Sequence, residues 1–472
     1  MARKDSAIDM SAAEEPGVAS TSDSEEVPAL DLPQGRTHRL SVVTAAVSRK
    51  VQNIKATTPR YPLVKFVLKN RTGNGAVKTE TEPSSPPIVQ GVAQILESPL
   101  VVLRWLGLRH LPKHAKSSFD LSFLYCCMVL VAVMANFGRL CGGYTSADNI
   151  QSTAIQILYH MFSSQVTFTV IIFIFCTTPR LVRFLNRYEK YRDVNSESSE
   201  IVTKEHSIKL VTRTFTGICI LLLSPVIVEA LSYFLLPWVT ARFSRPFPYS
   251  AGNVAAFVPW HIILCFINTV PVCFIFVLSR LLQHEFSAVN LLFRKTLAGK
   301  PDSERLELVR LRHATLLEVV SSLDDAISPY VLLTCVCDMT LLAFHSSVFT
   351  FNETTLTSHR GIFIIARLIS LICVATHFFT LMASAVALTN TAKSSKNLIR
   401  KINTLNLSDV EFKTLQTFSM TMTYDHIGFT AMRIFDINRI SVALMTALSV
   451  SYVILIVALR LTWYERKCEV DF

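Results

Sequence analysis

Glu229, Asp338 and Arg367 are the residues of this sequence best placed to do something other than pack. They are the only formal charges near the centres of its long apolar runs. A charge at bilayer depth is costly unless it pairs or faces a wet cavity. Hydrogen-bonding side chains stand in the same runs: Tyr159, His160, Tyr233, Trp260, His261, Asn268, His345 and His377. Together with Glu229 and Arg367 they could furnish a polar pocket with an aromatic platform. Each also has a plainer reading. Glu229 and Arg367 could form a structural pair, Asp338 could bond a neighbouring helix, and Trp260 and Tyr233 could be interface anchors. Enzyme chemistry finds little support, for there is no His-Glu-x-x-His, no Walker loop and no Gly-x-Ser-x-Gly. No cofactor or metal is expected either. Cys335 and Cys337, two apart on a helix, point to different faces and make poor metal geometry.

Those side chains need elements to hold them, and the sequence supplies seven. Half of the 472 residues are hydrophobic and the mean hydropathy is +0.39, which sets the chain apart from ordinary soluble proteins. Seven runs can cross a bilayer as helices: 119–140, 155–176, 210–239, 256–282, 327–347, 361–388 and 439–459. The expected fold is all-α, a polytopic membrane protein with seven transmembrane helices. Met1-Ala-Arg-Lys4 is not followed by an apolar core, so no cleavable signal peptide is expected.

Basic residues set the orientation. With a cytoplasmic N-terminus, the inner connections 177–209, 284–326 and 389–438 hold 19 Lys and Arg. The outer segments 141–154, 240–255, 348–360 and 460–472 hold 6. The C-terminus and its short tail 461–472 then lie outside the cell. So does Asn352, the expected glycosylation site, whereas the sequons at Asn70 and Asn406 lie inside.

Residues 1–97 read as a disordered cytoplasmic leader. Its first part, 1–35, has eight acids and two bases among many Ser, Ala and Pro. Its second part, 36–78, has ten Lys or Arg and no acid. Such a block beside a membrane attracts anionic lipids, at about 1 kcal/mol per basic residue near the surface. A solvated linker that follows the positive-inside rule is the plainer alternative. Nucleic acid is not an expected partner for a segment tethered to a polytopic protein.

Ordered structure is expected from Ser98, where Pro99 sits in the first turn of a helix closed by Gly107 and Pro112. The fourth span outlasts the bilayer, with Phe286, Val289, Leu292 and Phe293 at helical spacing. After a break at Gly299-Lys300-Pro301, a second amphipathic helix rises through Leu306, Val309, Leu316 and Val320 into the fifth span. Ser408 and Glu411 form a capping box, and Phe412, Leu415, Phe418 and Met422 continue amphipathically towards Gly428. An amphipathic lead-in, 428–439, precedes the last span.

That last span, Ile440–Leu459, has neither charge nor proline. Leu448, Tyr452, Leu455 and Leu459 fall within about 60° of one another on a helical wheel. Near its end come Ser451-Tyr452, five apolar residues 453–457, and Ala458-Leu459. This resembles the close of the seventh helix in insect gustatory and odorant receptors: Thr-Tyr, five hydrophobics, then Gln-Phe. Ser451 stands for the Thr, while Ala458 and Leu459 depart from Gln-Phe. The stretch Ser98–Pro112 resembles the opening of gustatory receptors, and Leu311-Arg312-His313 with Leu316 and Leu317 resembles a further family pattern.

The resemblance spans 98–460 and implies a ligand-gated, non-selective cation channel. It implies cytoplasmic helical extensions that form an anchor for four like or related subunits, around one pore lined by the seventh helix. Its constrictions correspond to Leu455 and Leu459. A ring of leucines closes a pore by excluding water. The implied ligand is a small tastant, a sugar or a bitter compound, and the implied place is the plasma membrane of chemosensory neurons. Two other readings stand beside it. A G-protein-coupled receptor is opposed by the inside N-terminus and the proline-free last helix, and a transporter by the lack of visible internal repeats.

Overall fold

Apolar runs that cannot hydrogen-bond to lipid must close their backbone bonds internally, and here they do so as helices. The computed structural model describes residues 91–109, 121–142, 150–195, 204–232, 251–298, 303–350, 360–400, 402, 407–424 and 427–470. Residues 1–90, Tyr233 and Asn352 lie outside the described residues, as does the side chain of Glu229. Two short helices, α1 (Gly91–Ile95) and α2 (Glu97–Trp105), come first. Gly107 ends α2 with φ +68°. The Gly107 amide donates to the Arg104 carbonyl at 3.0 Å and the Leu108 amide to Leu103 at 2.9 Å, a Schellman close.

Among the described residues, seven helices are long and apolar enough to cross a membrane. They begin with α3 (Leu121–Gly142), then α4 (Ile150–Ile171), which passes through a π-helical turn, Ile172–Thr177, into α5 (Thr178–Asn195). Next come α6 (Lys204–Ser232), α7 (Ala251–Ala298), α8 (Ser303–Thr350) and α9 (Arg360–Ile399). The helix α10 (Asp409–Tyr424), strands β1 (Thr430–Ala431) and β2 (Phe435–Asp436), and the last helix α11 (Arg439–Val470) complete the order. The all-α, seven-span expectation holds. The segments 177–209 and 389–438, counted above as connections, are also largely helical. In α5 the reason is visible in the spacing, since Leu181, Phe184, Leu185 and Tyr188 are buried on one face.

Packing is uneven in a way that matters for function. The most apolar stretch of α7 is 78% buried within the chain, and that of α11 is 0% buried. Thus α7 is the central helix, packed against α4, α6, α8 and α9, whereas α11 touches mainly α8.

Beyond their apolar stretches the extensions of α7, α8 and α9 join α10. Phe286 and Phe418 flank the His313 ring at centroid distances of 5.3 and 5.0 Å. His313 Nε2 bonds the Ala392 carbonyl at 3.1 Å. Asn290 Nδ2 donates to the Thr391 carbonyl at 3.0 Å and to Ser394 Oγ at 2.7 Å, while Ser395 Oγ donates to Asn290 Oδ1. The capping box that opens α10 is formed: the Ser408 amide donates to Glu411 Oε2 at 2.8 Å, and the Glu411 amide to Ser408 Oγ at 3.4 Å.

The lead-in to the last span is a β-hairpin, with Thr430 opposite Asp436 and Ala431 opposite Phe435. Gly428 begins it at φ +132°, where a Cβ would also collide with Thr389 Oγ1. Asp324 on α8 fixes the hairpin, accepting from the Thr430 amide and from Thr430 Oγ1, each at 2.7 Å. Asn438 then caps α11, its Oδ1 accepting from the Ile440 and Ser441 amides at 2.9 Å.

Candidate functional site

Helices α4, α6, α7, α8 and α9 enclose a cavity of about 80 Å³, several times the ~10–15 Å³ that one water needs. Its walls are partly apolar, from Leu158, Phe162, Leu222, Val226 and Leu341. Six of the ten polar candidates also line it: Tyr159, His261, Asn268, His345, Arg367 and His377. They come from four helices, which explains why no contiguous motif announces the site.

Tyr159, Phe257 and Phe162 surround the His261 ring. Tyr159 and Phe257 stack on it at 5.5 and 5.9 Å, and Phe162 tilts against it at 5.7 Å. The Tyr159 hydroxyl reaches His261 Nδ1 at 3.5 Å. Arg367 is 3% exposed and His345 7%. The His345 Nδ1 and Asn268 Oδ1 atoms, both buried, have no hydrogen-bond partner among the described residues. Buried polar atoms of this kind are the ones a polar ligand satisfies.

Deeper in, a connected network joins four helices. His377 Nδ1 lies 2.6 Å from Asp338 Oδ2, and Nε2 donates to the Asn268 carbonyl at 3.3 Å. The ring therefore bridges α8 and α7. Gln165 Nε2 donates to Asp338 Oδ1 at 2.8 Å. The Tyr330 hydroxyl donates to the same Asn268 carbonyl at 3.1 Å. Pro271 follows within one turn, and a proline there removes a ladder bond and loosens the helix around it. Asp338 thus bonds neighbouring helices, the plainer of its two readings, yet it also lines the cavity.

The other candidates lie elsewhere. His160 Nδ1 donates to the Gln156 carbonyl of its own helix at 2.7 Å and does not line the cavity. Trp260 is half-buried against the core, one residue from His261 but on another face. Glu229 and Tyr233 fall on positions whose side chains are not described. Gln165, Thr269 and Ser370 were not singled out by sequence. For Gln165 a signal existed, because Leu158, Tyr159, Phe162 and Gln165 share one face of α4.

The pore candidates Leu448, Ser451, Tyr452, Leu455, Ala458 and Leu459 all lie on exposed positions of α11. Leu448, Leu455 and Leu459 are 65%, 53% and 60% exposed. A helix of mean hydropathy 2.5 with no buried stretch is covered by lipid or by other chains rather than by its own fold.

The chain matches the family model described as 7tm Chemosensory receptor over residues 97–457. Its fold is similar to the insect olfactory receptor OR5 from Machilis hrabei, with a TM-score of 0.60 to the structure in complex with eugenol. The two are 14% identical, and the match covers 79% of this chain and 99% of that one. The structure of OR5 alone gives a TM-score of 0.60 at 15% identity, covering 78% and 98%. No curated protein matches by sequence.

Proposed function

This chain belongs to the 7tm chemosensory receptor family, and from that premise we propose that it is a cation channel opened by a small extracellular tastant. On this reading four copies, or copies with related subunits, assemble in the plasma membrane of a chemosensory neuron. Their N-termini are cytoplasmic, Asn352 carries glycan outside, and the α11 helices line one non-selective pore. The cytoplasmic layer around His313 anchors the subunits, and the basic segment 36–78 rests on anionic lipid.

The observation that carries the reading is the cavity itself. Tyr159, His261, His345 and Arg367 sit near the outer ends of their spans on the proposed orientation, so a ligand entering from outside meets them first. The stacked Tyr159–His261 pair and the unpartnered His345 and Asn268 atoms suit a compact ring that carries hydrogen-bonding groups. OR5 in complex with eugenol is a related fold holding a small aromatic molecule, which favours a bitter aromatic compound over a sugar. The exposed α11 is compatible with the pore assignment, because its apolar surface is free to meet the same helix of other copies as well as lipid.

Calcium imaging of cells expressing this chain, challenged with sugars and bitter aromatics, tests the proposal. Once an agonist is found, His261→Ala and His345→Ala should each raise its half-maximal concentration by about tenfold, the loss of one buried hydrogen bond. His160→Ala, whose imidazole bonds its own helix, should leave potency unchanged. Normal potency in both cavity variants at normal surface expression would put the ligand elsewhere.

A further inference from the structure

A second cavity lies far from the first, between α5, α8 and the hairpin that precedes α11. It is an open cleft of about 530 Å³ whose lining includes Arg180, Arg183, Arg187 and Arg433. Asp325 is the one acid among its described lining residues. Arg433 pairs with Asp325 Oδ1 at 2.5 Å, and Arg180 donates to the Asp325 backbone carbonyl at 2.8 Å. Among its described residues the cleft then has an excess of three positive charges. Arg183 and Arg187 are exposed, have no acidic partner among the described residues, and stand one turn apart on the face that faces the cleft. Like charges so spaced repel each other, so the arrangement favours a bound anion. The guanidinium fork matches phosphate oxygens two at a time.

Depth narrows the ligand. Cys176 and Arg180 mark where the apolar run of the second span ends, and Ser328 and Pro329 mark where that of the fifth begins. The cleft therefore lies at the level of lipid headgroups, on the cytoplasmic side if the orientation proposed above holds. The hairpin turn that carries Arg433 is held in a costly shape. Met432 and Arg433 have φ of 49° and 61°, left-handed values that non-glycine residues rarely adopt. Thr430 Oγ1 accepts from the Arg433 amide at 3.2 Å and steadies it.

We propose that this arginine cleft binds a multiply phosphorylated anion, the headgroup of a polyphosphorylated inositol lipid. Two or more phosphates match the threefold excess of charge, whereas a phosphatidylserine headgroup carries too little. A headgroup held by Arg183 and Arg187 would also reach Arg433, and so tie α5 to the turn that leads directly into α11. Binding at this site would brace the base of the last helix.

The test uses the full-length protein in neutral detergent, titrated with a fluorescent short-chain phosphatidylinositol bisphosphate and read by anisotropy. Neither ion conduction nor orientation enters that measurement, so its failure is separable from failure of the channel reading. Saturable binding is expected, and the double variant R183Q/R187Q should bind about 30-fold more weakly, the effect of two basic contacts. The control K393Q/R400Q, which removes two charges from α9 and its end, should stay within about twofold. Phosphatidylserine should not compete. Stronger competition by the lipid than by inositol trisphosphate assigns the site to a headgroup, and equal competition assigns it to a soluble phosphate of the same chemistry. Absent binding, equal loss in both double variants at unchanged melting temperature, or full competition by phosphatidylserine would overturn the proposal.

Discussion

Cells expressing Leu455→Ser or Leu459→Ser should carry a standing cation current without ligand, and cells expressing Ile454→Ser should not. The expectation comes from the chemistry of α11, which has no charge between Ile440 and Leu459 and so offers no salt bridge to close a pore. What remains is exclusion of water by apolar rings. Burying one leucine fully stabilises by about 1.5–3 kcal/mol. If each of four subunits loses only ~0.8 kcal/mol of closed-state contact, the total of ~3 kcal/mol shifts the open-to-closed ratio about a hundredfold. Ile454 is as exposed as the leucines in the single chain, at 62% against 53% and 60%, so exposure cannot separate them. Only the facing direction in the assembled pore can, which makes Ile454→Ser the informative control. Whole-cell recording reads the outcome. Silent leucine variants with confirmed surface expression would place the closed gate elsewhere.

The second large effect concerns the network beneath the cavity. Asp338→Leu should remove most of the folded, surface-expressed protein, and the double variant Asp338→Leu/His377→Leu should restore much of it. The Asp338–His377 pair is buried at the middle of the fifth and sixth spans, 1% and 5% exposed. Removing Asp338 strands both the His377 ring nitrogen and Gln165 Nε2 in the core, at a cost of about 1–3 kcal/mol for each buried unsatisfied group, whereas replacing both members of the pair by apolar groups is often neutral. Gln165 loses its acceptor in either case, so restoration should fall short of the parent by roughly 1 kcal/mol. Fluorescence-detected size exclusion gives the folded fraction, and the coupling follows from the double-mutant cycle. Additive losses would show that the two side chains do not act as a pair.

Much of this architecture is legible in the sequence because lipid is an exacting solvent. Seven long apolar runs have to be helices, and cap signals such as Ser408–Glu411 and Gly107 act locally, so they read correctly from a few residues. The helical continuation of the second span was hidden by its charges, which the hydropathy pattern registers as a loop; the buried face Leu181, Phe184, Leu185 and Tyr188 is the better guide. The hairpin before α11 was hidden for a different reason. Its shape depends on Asp324, about a hundred residues away, and on left-handed turns at Met432 and Arg433 that no residue preference announces.

The cavity shows the same division. Depth alone selects Tyr159, His261, Asn268, His345, Arg367 and His377, because a polar group in an apolar run is conspicuous. Depth cannot separate His261 from Trp260 or Tyr159 from His160, whose side chains leave the same helix in different directions. The arginine cleft went unseen because Arg180, Arg183 and Arg187 count equally well towards the positive-inside rule, and Arg433 joins them only through the fold.

The proposed function requires one coupling, between a ligand in the α4–α9 cavity and a pore along α11. Single-channel recording of the purified chain in a planar bilayer tests it most directly. Unitary cation currents should appear, their open probability should rise with agonist, and His345→Ala should shift that rise to higher concentration while leaving unitary conductance unchanged. Saturable agonist binding by the same preparation, with no unitary current at any concentration, would contradict it.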